Sequence, residues 1–180
     1  MRRYRPNSAA VSVIEAERAL VAHLRGHAGF VDQNYRTPPG QLYATPEHLL
    51  LAHGRLFDLG RRPADIGKMR DRFCFQNAAT AARRHGLLYA EGIAVFSVTS
   101  GFACLPHAWC VTSHAAVVDP TWDDGAGQAY LGITLADPDL WPTDNRGLLH
   151  DHQRSAFLLR GELSLDSNAS LGRAVPAPPA

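Results

Sequence analysis

The sequence predicts an α+β fold in which helices precede a small antiparallel sheet, and three patterns predict it. Apolar positions recur at three- and four-residue intervals in the first third of the chain. An alanine-rich helical run opens at Cys74. After Gly86, short runs rich in β-branched and aromatic residues alternate with turn formers as far as Leu135.

From Ser8 to Arg25 the residues Val11, Ile14, Ala19, Leu20, Val21 and Leu24 follow the helical period, and Gly26 offers a stop. Residues 29–44, with Pro38, Pro39 and Gly40, read as a surface loop. Thr45-Pro46-Glu47 reads as a helix start: Thr can cap free amides, Pro suits the first position and acid suits the first turn. This helix is expected to reach about Leu59 and stop at Gly60. A polar link, Arg61 to Asp71, leads to the helix from Cys74 to His85, closed by Gly86.

Strands are expected over Leu87 to Val98, His107 to Thr112, Ala116 to Asp119 and Ala129 to Leu135. A last helix is expected between Arg146 and Arg160. Residues 161–180, ending Val175-Pro176-Ala177-Pro178-Pro179-Ala180, read as a disordered tail. The chain is thus expected to form a single domain over 1–160, its informative core at about 70–135, with no internal repeat.

Composition sets the frame for function. The 46% apolar and 19% charged fractions are those of a globular protein that folds without metal or disulfide staples. Eighteen basic against 17 acidic side chains leave a formal charge of +1, too weak a field to argue for nucleic acid or a membrane surface. Three cysteines do not make a secreted disulfide scaffold, so a cytoplasmic setting is expected. No apolar run follows the N-terminal arginines to form a signal peptide, and none is long enough to span a membrane.

The chemistry centres on Cys74. A thiol attacks as thiolate, and a helix N-terminus and a neighbouring imidazolium both stabilise that anion. His107 opens a strand after Pro106 and shares a face with Trp109 and Val111, since strand side chains alternate. The turn Thr112-Ser113-His114-Ala115 folds the next strand back, bringing Asp119 opposite or diagonal to His107, where a carboxylate can orient the imidazole. Backbone amides at the start of the helix, supplemented by Gln76 and Asn77, are the expected oxyanion donors. Trp109 reads as core or pocket wall, a candidate substrate contact in the second case, and Glu91, sharing strand parity with Tyr89, lies on a face that either reaches the cleft as a substrate contact or is an exposed polar edge.

Cys74 with Ala78 four positions on, Gly86 ending the helix, Gly92 in the next strand, then His107-Ala108-Trp109 and Asp119-Pro120-Thr121, together resemble the transglutaminase-like branch of the papain-like cysteine enzymes. The resemblance covers about residues 70–135. It implies a papain-like core with the nucleophile helix packed on the sheet, a Cys74-His107-Asp119 triad, no cofactor, and acyl chemistry on an amide or isopeptide bond of a peptide or protein. The segment Lys68 to Phe73 departs from the family, lacking the glycine or glutamine often found just before the nucleophile.

Two other readings compete. A binding module on the same fold would use the cleft to hold a peptide or partner. A zinc protein would use Cys104, His107, Cys110 and His114. Strand alternation opposes the latter, because Cys104, Cys110 and His114 point away from His107 and the two cysteines lie ~20 Å apart at about 3.3 Å per residue. His150-Asp151-His152 reads as solvated surface, since adjacent histidines do not share a helix face.

Overall fold

The computed structural model describes residues 13–163, 165 and 171–178. Among them, helices and an antiparallel sheet form a mixed α+β structure, and no helix is long and apolar enough to cross a membrane.

Helix α1 (Val13–Asn34) buries Ala16, Leu20, Val21, Leu24 and Ala28, one stripe at helical spacing. It runs straight past the expected stop at Gly26 and takes in the first part of the expected loop. Gly26 and Gly29 lie where a side chain would meet nothing, so each costs only the intrinsic ~1 kcal/mol of helical glycine, while Ala28 extends the buried stripe. The expected start at Ser8 lies outside the described residues.

Helix α2 (Pro46–His53) starts where expected, but Thr45 does not cap it; the Thr45 hydroxyl pairs with His48 Nδ1 at 3.0 Å. The helix ends well before Leu59. Gly54 turns extended there, with its Cβ position blocked by the Leu50 carbonyl at 2.3 Å and Leu131, and delivers the chain into strand β1 (Arg55–Leu56).

Helix α3 (Cys74–His85) matches the sequence expectation at both ends. Gly86 adopts a left-handed φ of 64° and donates its N–H to the Ala82 carbonyl, which closes the last turn. The chain then enters β2 (Leu88–Val98), β3 (Gly101–Val111), β4 (Val117–Val118) and β5 (Gly127–Leu135).

The six-stranded sheet has the order β4-β3-β2-β5-β1-β6, its last strand, β6, being Arg173–Ala174. It curls until the chain leaving β1 meets β4: Asp58 N–H donates to the Ala115 carbonyl, and Val117 N–H to the Asp58 carbonyl. Inside the curl sit Phe57, Ala90, Ala94, Trp109, Val111, Val117 and Tyr130. The outer face carries Tyr89, Ile93, Val95, Ala108, Cys110, Leu131 and Ile133 against the helices. Period-two alternation thus splits each long strand between two cores.

The remaining expectations are corrected by long-range contacts. Residues 173–174 are no free tail, because they pair with β1 in the register Arg55–Ala174 and Leu56–Arg173, and Arg173 forms an ion pair with Glu17 of α1. Helix α4 (His152–Leu159) begins later than Arg146, capped by Asp151, whose carboxylate accepts from the Gln153 and Arg154 amides. Just before it, the Leu148 and Leu149 amides are drawn instead to Glu91.

Gly92 is where the curl is tightest. It pairs with His107 on one side and Gly132 on the other, and a Cβ there would lie 2.1 Å from the Leu131 carbonyl oxygen. Because that obstacle is backbone, Gly92→Ala is expected to lower unfolding free energy by about 3 kcal/mol or more in urea denaturation; an unchanged midpoint would show that the curl can relax.

Candidate active site

The site forms where α3 begins beside β3. Strand β4 pairs only with Cys110 and Val111, so no strand flanks β3 on that side at His107. Cys74 and His107 come together across this gap, near enough for the sulfur to bear on the protonation of the ring. The thiol-bearing residue is 9% exposed and His107 is 2% exposed.

His107 Nε2 pairs with Asp119 Oδ2 at 2.7 Å, which leaves Nδ1 as the ring nitrogen available to Cys74. The hairpin through Thr112 and Ala115 produces this pairing as the turn residues suggest. Trp122 lies flat on the imidazole, with centroids 3.9 Å apart and planes 16° apart, and Trp109 and Tyr130 lie beyond. Aromatic faces thus close the ring off from water.

Asp119 is 8% exposed and is satisfied from four directions. Oδ1 accepts from the Thr121 amide at 2.8 Å and the Trp122 amide at 3.0 Å; Oδ2 accepts from the Tyr130 hydroxyl at 2.9 Å besides His107. The loop itself is held by Arg62, whose Nη1 donates to the Asp119 and Trp122 carbonyls at 2.9 and 2.8 Å, and by Met69 N–H, which donates to the Pro120 carbonyl.

The electrostatics follow from these contacts. Burial by itself would pull the His107 pKa down, but the hydrogen bond to Asp119, the nearby Cys74 sulfur and the charges of both outweigh it and hold it at about 9. Burial pushes the Asp119 carboxyl up, and the His107 bond and the two amides more than offset that, leaving it below its ordinary value. Burial also raises the Tyr130 hydroxyl, with the Asp119 charge adding to it, so Tyr130 stays a donor.

The supplementary residues fare differently. Asn77 is buried, and its Nδ2 is taken by the Arg70 carbonyl at 2.7 Å and Thr121 Oγ1 at 3.0 Å. It ties α3 to the Asp119 loop and has no amide proton left to offer an oxyanion. Gln76 Nε2 reaches the Thr143 carbonyl at 3.2 Å. Trp109 is wholly inside the curl against Phe57 and Tyr130, so it is core and not a pocket wall.

Glu91 does not face the cleft. It is fully buried in a central strand, where its carboxylate accepts from the Leu148 and Leu149 amides at 2.8 and 2.7 Å and from the Tyr89 hydroxyl at 2.8 Å. It anchors the loop before α4.

The zinc string is dispersed. His107 is committed to Asp119, and Cys110 Sγ on the opposite face donates to the Ala78 carbonyl at 3.2 Å. Among the described residues, no group of three or more His, Cys, Asp or Glu side chains is arranged to hold a metal ion. His150, expected on the surface, is half-buried instead, its ring pKa lowered by burial.

Sequence reasoning missed Tyr130, Arg62 and Asn145, all bonded to the site or to the turn before Cys74. Of these only Tyr130 left a signal, the parity that places it on the inner face of β5 with Trp109 opposite. Comparison with family models, with curated proteins and with solved structures finds no match, so the reading of this site rests on its geometry.

The His107 shift sets a pH dependence. A histidine whose pKa is higher folded than unfolded contributes stability that is complete below the unfolded value near 6.5 and is lost as pH rises through about 9. The melting-temperature difference between wild type and His107→Gln should therefore be largest near pH 6 and should shrink on going to pH 9.5, measured by calorimetry. A difference that grew with pH would contradict the pairing. Asp119 has the opposite sign: its share is present above the ordinary carboxyl range and is lost on acidification below it.

Proposed function

We propose that the chain is a cysteine-dependent acyl enzyme, built on a papain-like core of the transglutaminase-like kind, that acts on an amide or isopeptide bond of a peptide or protein. The observation that carries the reading is a single buried imidazole bonded to an ionised carboxylate, with the thiol that opens α3 near enough to bear on its protonation. That chain of contacts is the arrangement of a nucleophile, a base and an orienting group.

In the proposed reaction the Cys74 thiolate forms a C–S bond to the carbonyl carbon, and the carbonyl electron pair moves to oxygen. Collapse of this tetrahedral species breaks the C–N bond, and the His107 imidazolium gives its proton to the departing amine. Water then attacks the thioester with loss of a proton to His107, the C–S bond breaks, and the carboxylic acid leaves. Asp119 holds the ring in one orientation throughout, and Tyr130 and two amides hold Asp119. Peptidase, deamidase and transamidase chemistry share these steps, and hydrolysis is the form proposed because water needs no second site.

Thiol reactivity separates this reading from an inert fold. Burial pushes the Cys110 thiol up to about 12 and raises Cys104, so neither forms thiolate readily at neutral pH. Iodoacetamide at pH 7 followed by peptide mapping should modify Cys74 at least about tenfold faster than the other two cysteines. Equal labelling of all three in the folded protein would end the proposal.

On a substrate found by screening, Cys74→Ala should abolish turnover, while Asp119→Asn should lower it by roughly 10²–10⁴-fold and still allow a thioester to be trapped. Full activity in Cys74→Ala, with loss on replacing Cys104 or Cys110, would move the chemistry elsewhere.

A further inference from the structure

The turn that delivers Cys74 into its helix is held in an unfavourable shape. Arg72 has φ 67°, a left-handed conformation that costs a residue with a Cβ about 1–2 kcal/mol, and Phe73 follows at φ −114°, ψ 37°. No side chain caps the start of α3, and the first helical bond runs from Asn77 N–H to the Phe73 carbonyl. The amides of Cys74 and the next two residues therefore have no intrahelical acceptor.

What fixes this turn comes from far along the chain. Asn145 Nδ2 donates to the Arg72 carbonyl at 2.8 Å. Asn145 is itself braced on both sides. The preceding stretch is tied to α3 by Gln76, at the Thr143 carbonyl, and by Arg83, at the Pro138 and Trp141 carbonyls. Asp144 is gripped by Arg154 of α4 through two bonds of 3.0 Å.

The contact is not an economical one for stability. Asn145 Oδ1 is buried without a hydrogen-bond partner, an arrangement that costs about 1–3 kcal/mol. A strained residue and an orphaned acceptor thus meet in one contact, two positions before the nucleophile. Costs of this kind gather where backbone geometry serves a reaction.

We propose that Asn145 is a positioning residue for acyl transfer at Cys74: by clamping the Arg72 carbonyl it aims the uncapped first-turn amides of α3 at the oxygen of the tetrahedral intermediate. Asn77, whose amide protons are already taken by the Arg70 carbonyl and Thr121, does not compete for the role. This rests on the acyl-enzyme reading of Cys74.

Two small probes separate the positioning role from mere support of the fold. With p-nitrophenyl acetate the Cys74 sulfur forms a C–S bond to the acetyl carbon and an oxyanion develops. The C–O bond then breaks and p-nitrophenolate leaves, giving a burst at 400 nm of roughly one equivalent. Iodoacetamide alkylates the same sulfur with loss of iodide and forms no oxyanion.

Asn145→Ala should slow the acylation burst by about ten- to hundredfold, while its Cys74 alkylation rate stays within about twofold of wild type. Arg72→Gly takes up a positive φ without strain. In the Arg72→Gly background the Asn145→Ala penalty should shrink to a few-fold, because the turn then holds its shape without the clamp.

Equal acylation by wild type and Asn145→Ala would overturn the proposal, as would parallel loss of acylation and alkylation that Arg72→Gly fails to rescue. A wild type that gives no burst and no selective Cys74 alkylation would instead overturn the acyl-enzyme reading itself, and this inference with it.

Discussion

A carboxylate removed from water is costly unless every lone pair it presents is met, and Asp119 is the place where this protein meets that demand in full. Two backbone amides, a tyrosine hydroxyl and an imidazole converge on its two oxygens. Each donor belongs to a different structural commitment. The amides require the tight turn after Pro120, Tyr130 requires the inner face of β5, and His107 requires the register of β3. The curl of the sheet, with Gly92 and Gly132 paired where no side chain fits, is what brings these together.

Around this anion the protein is organised in two bodies of contact. One is the hairpin carrying His107 and Asp119, wrapped by aromatic rings. The other is α3, whose alanines Ala78, Ala79, Ala81 and Ala82 let it lie close against β3. Residues 68–73 join them, touching the Asp119 loop through Met69, Asn77 of α3 through the Arg70 carbonyl, and the stretch before α4 through Arg72. The place of Cys74 relative to His107 is therefore set both by the packing of α3 on β3 and by a short connector tied at each end.

What could be read from the sequence was whatever depends on near neighbours. The start and stop of α3, the alternation that puts His107 and Trp109 on one face, and the turn before Asp119 are all local signals, and the structure follows them. Glu91 was misread because its partners, the Leu148 and Leu149 amides, are supplied by a loop far along the chain, and period-two parity alone does not say whether a polar face meets water or amides. Gly26 and Gly29 misled for a related reason: their weak propensity was outweighed by a buried stripe that only tertiary packing reveals. Arg62 and Asn145 act through backbone carbonyls, which carry no sequence signature at all.

The strand at 173–174 bears on how the molecule is made. β1 lies between β5 and β6, so both of its neighbours are synthesised long after it, β6 last. Until β5 emerges β1 has no partner on either flank, although β2 and β3 can already close their hairpin behind it. The segment that carries Cys74, His107 and Asp119 is thus assembled locally, whereas β1 waits for partners far along the chain.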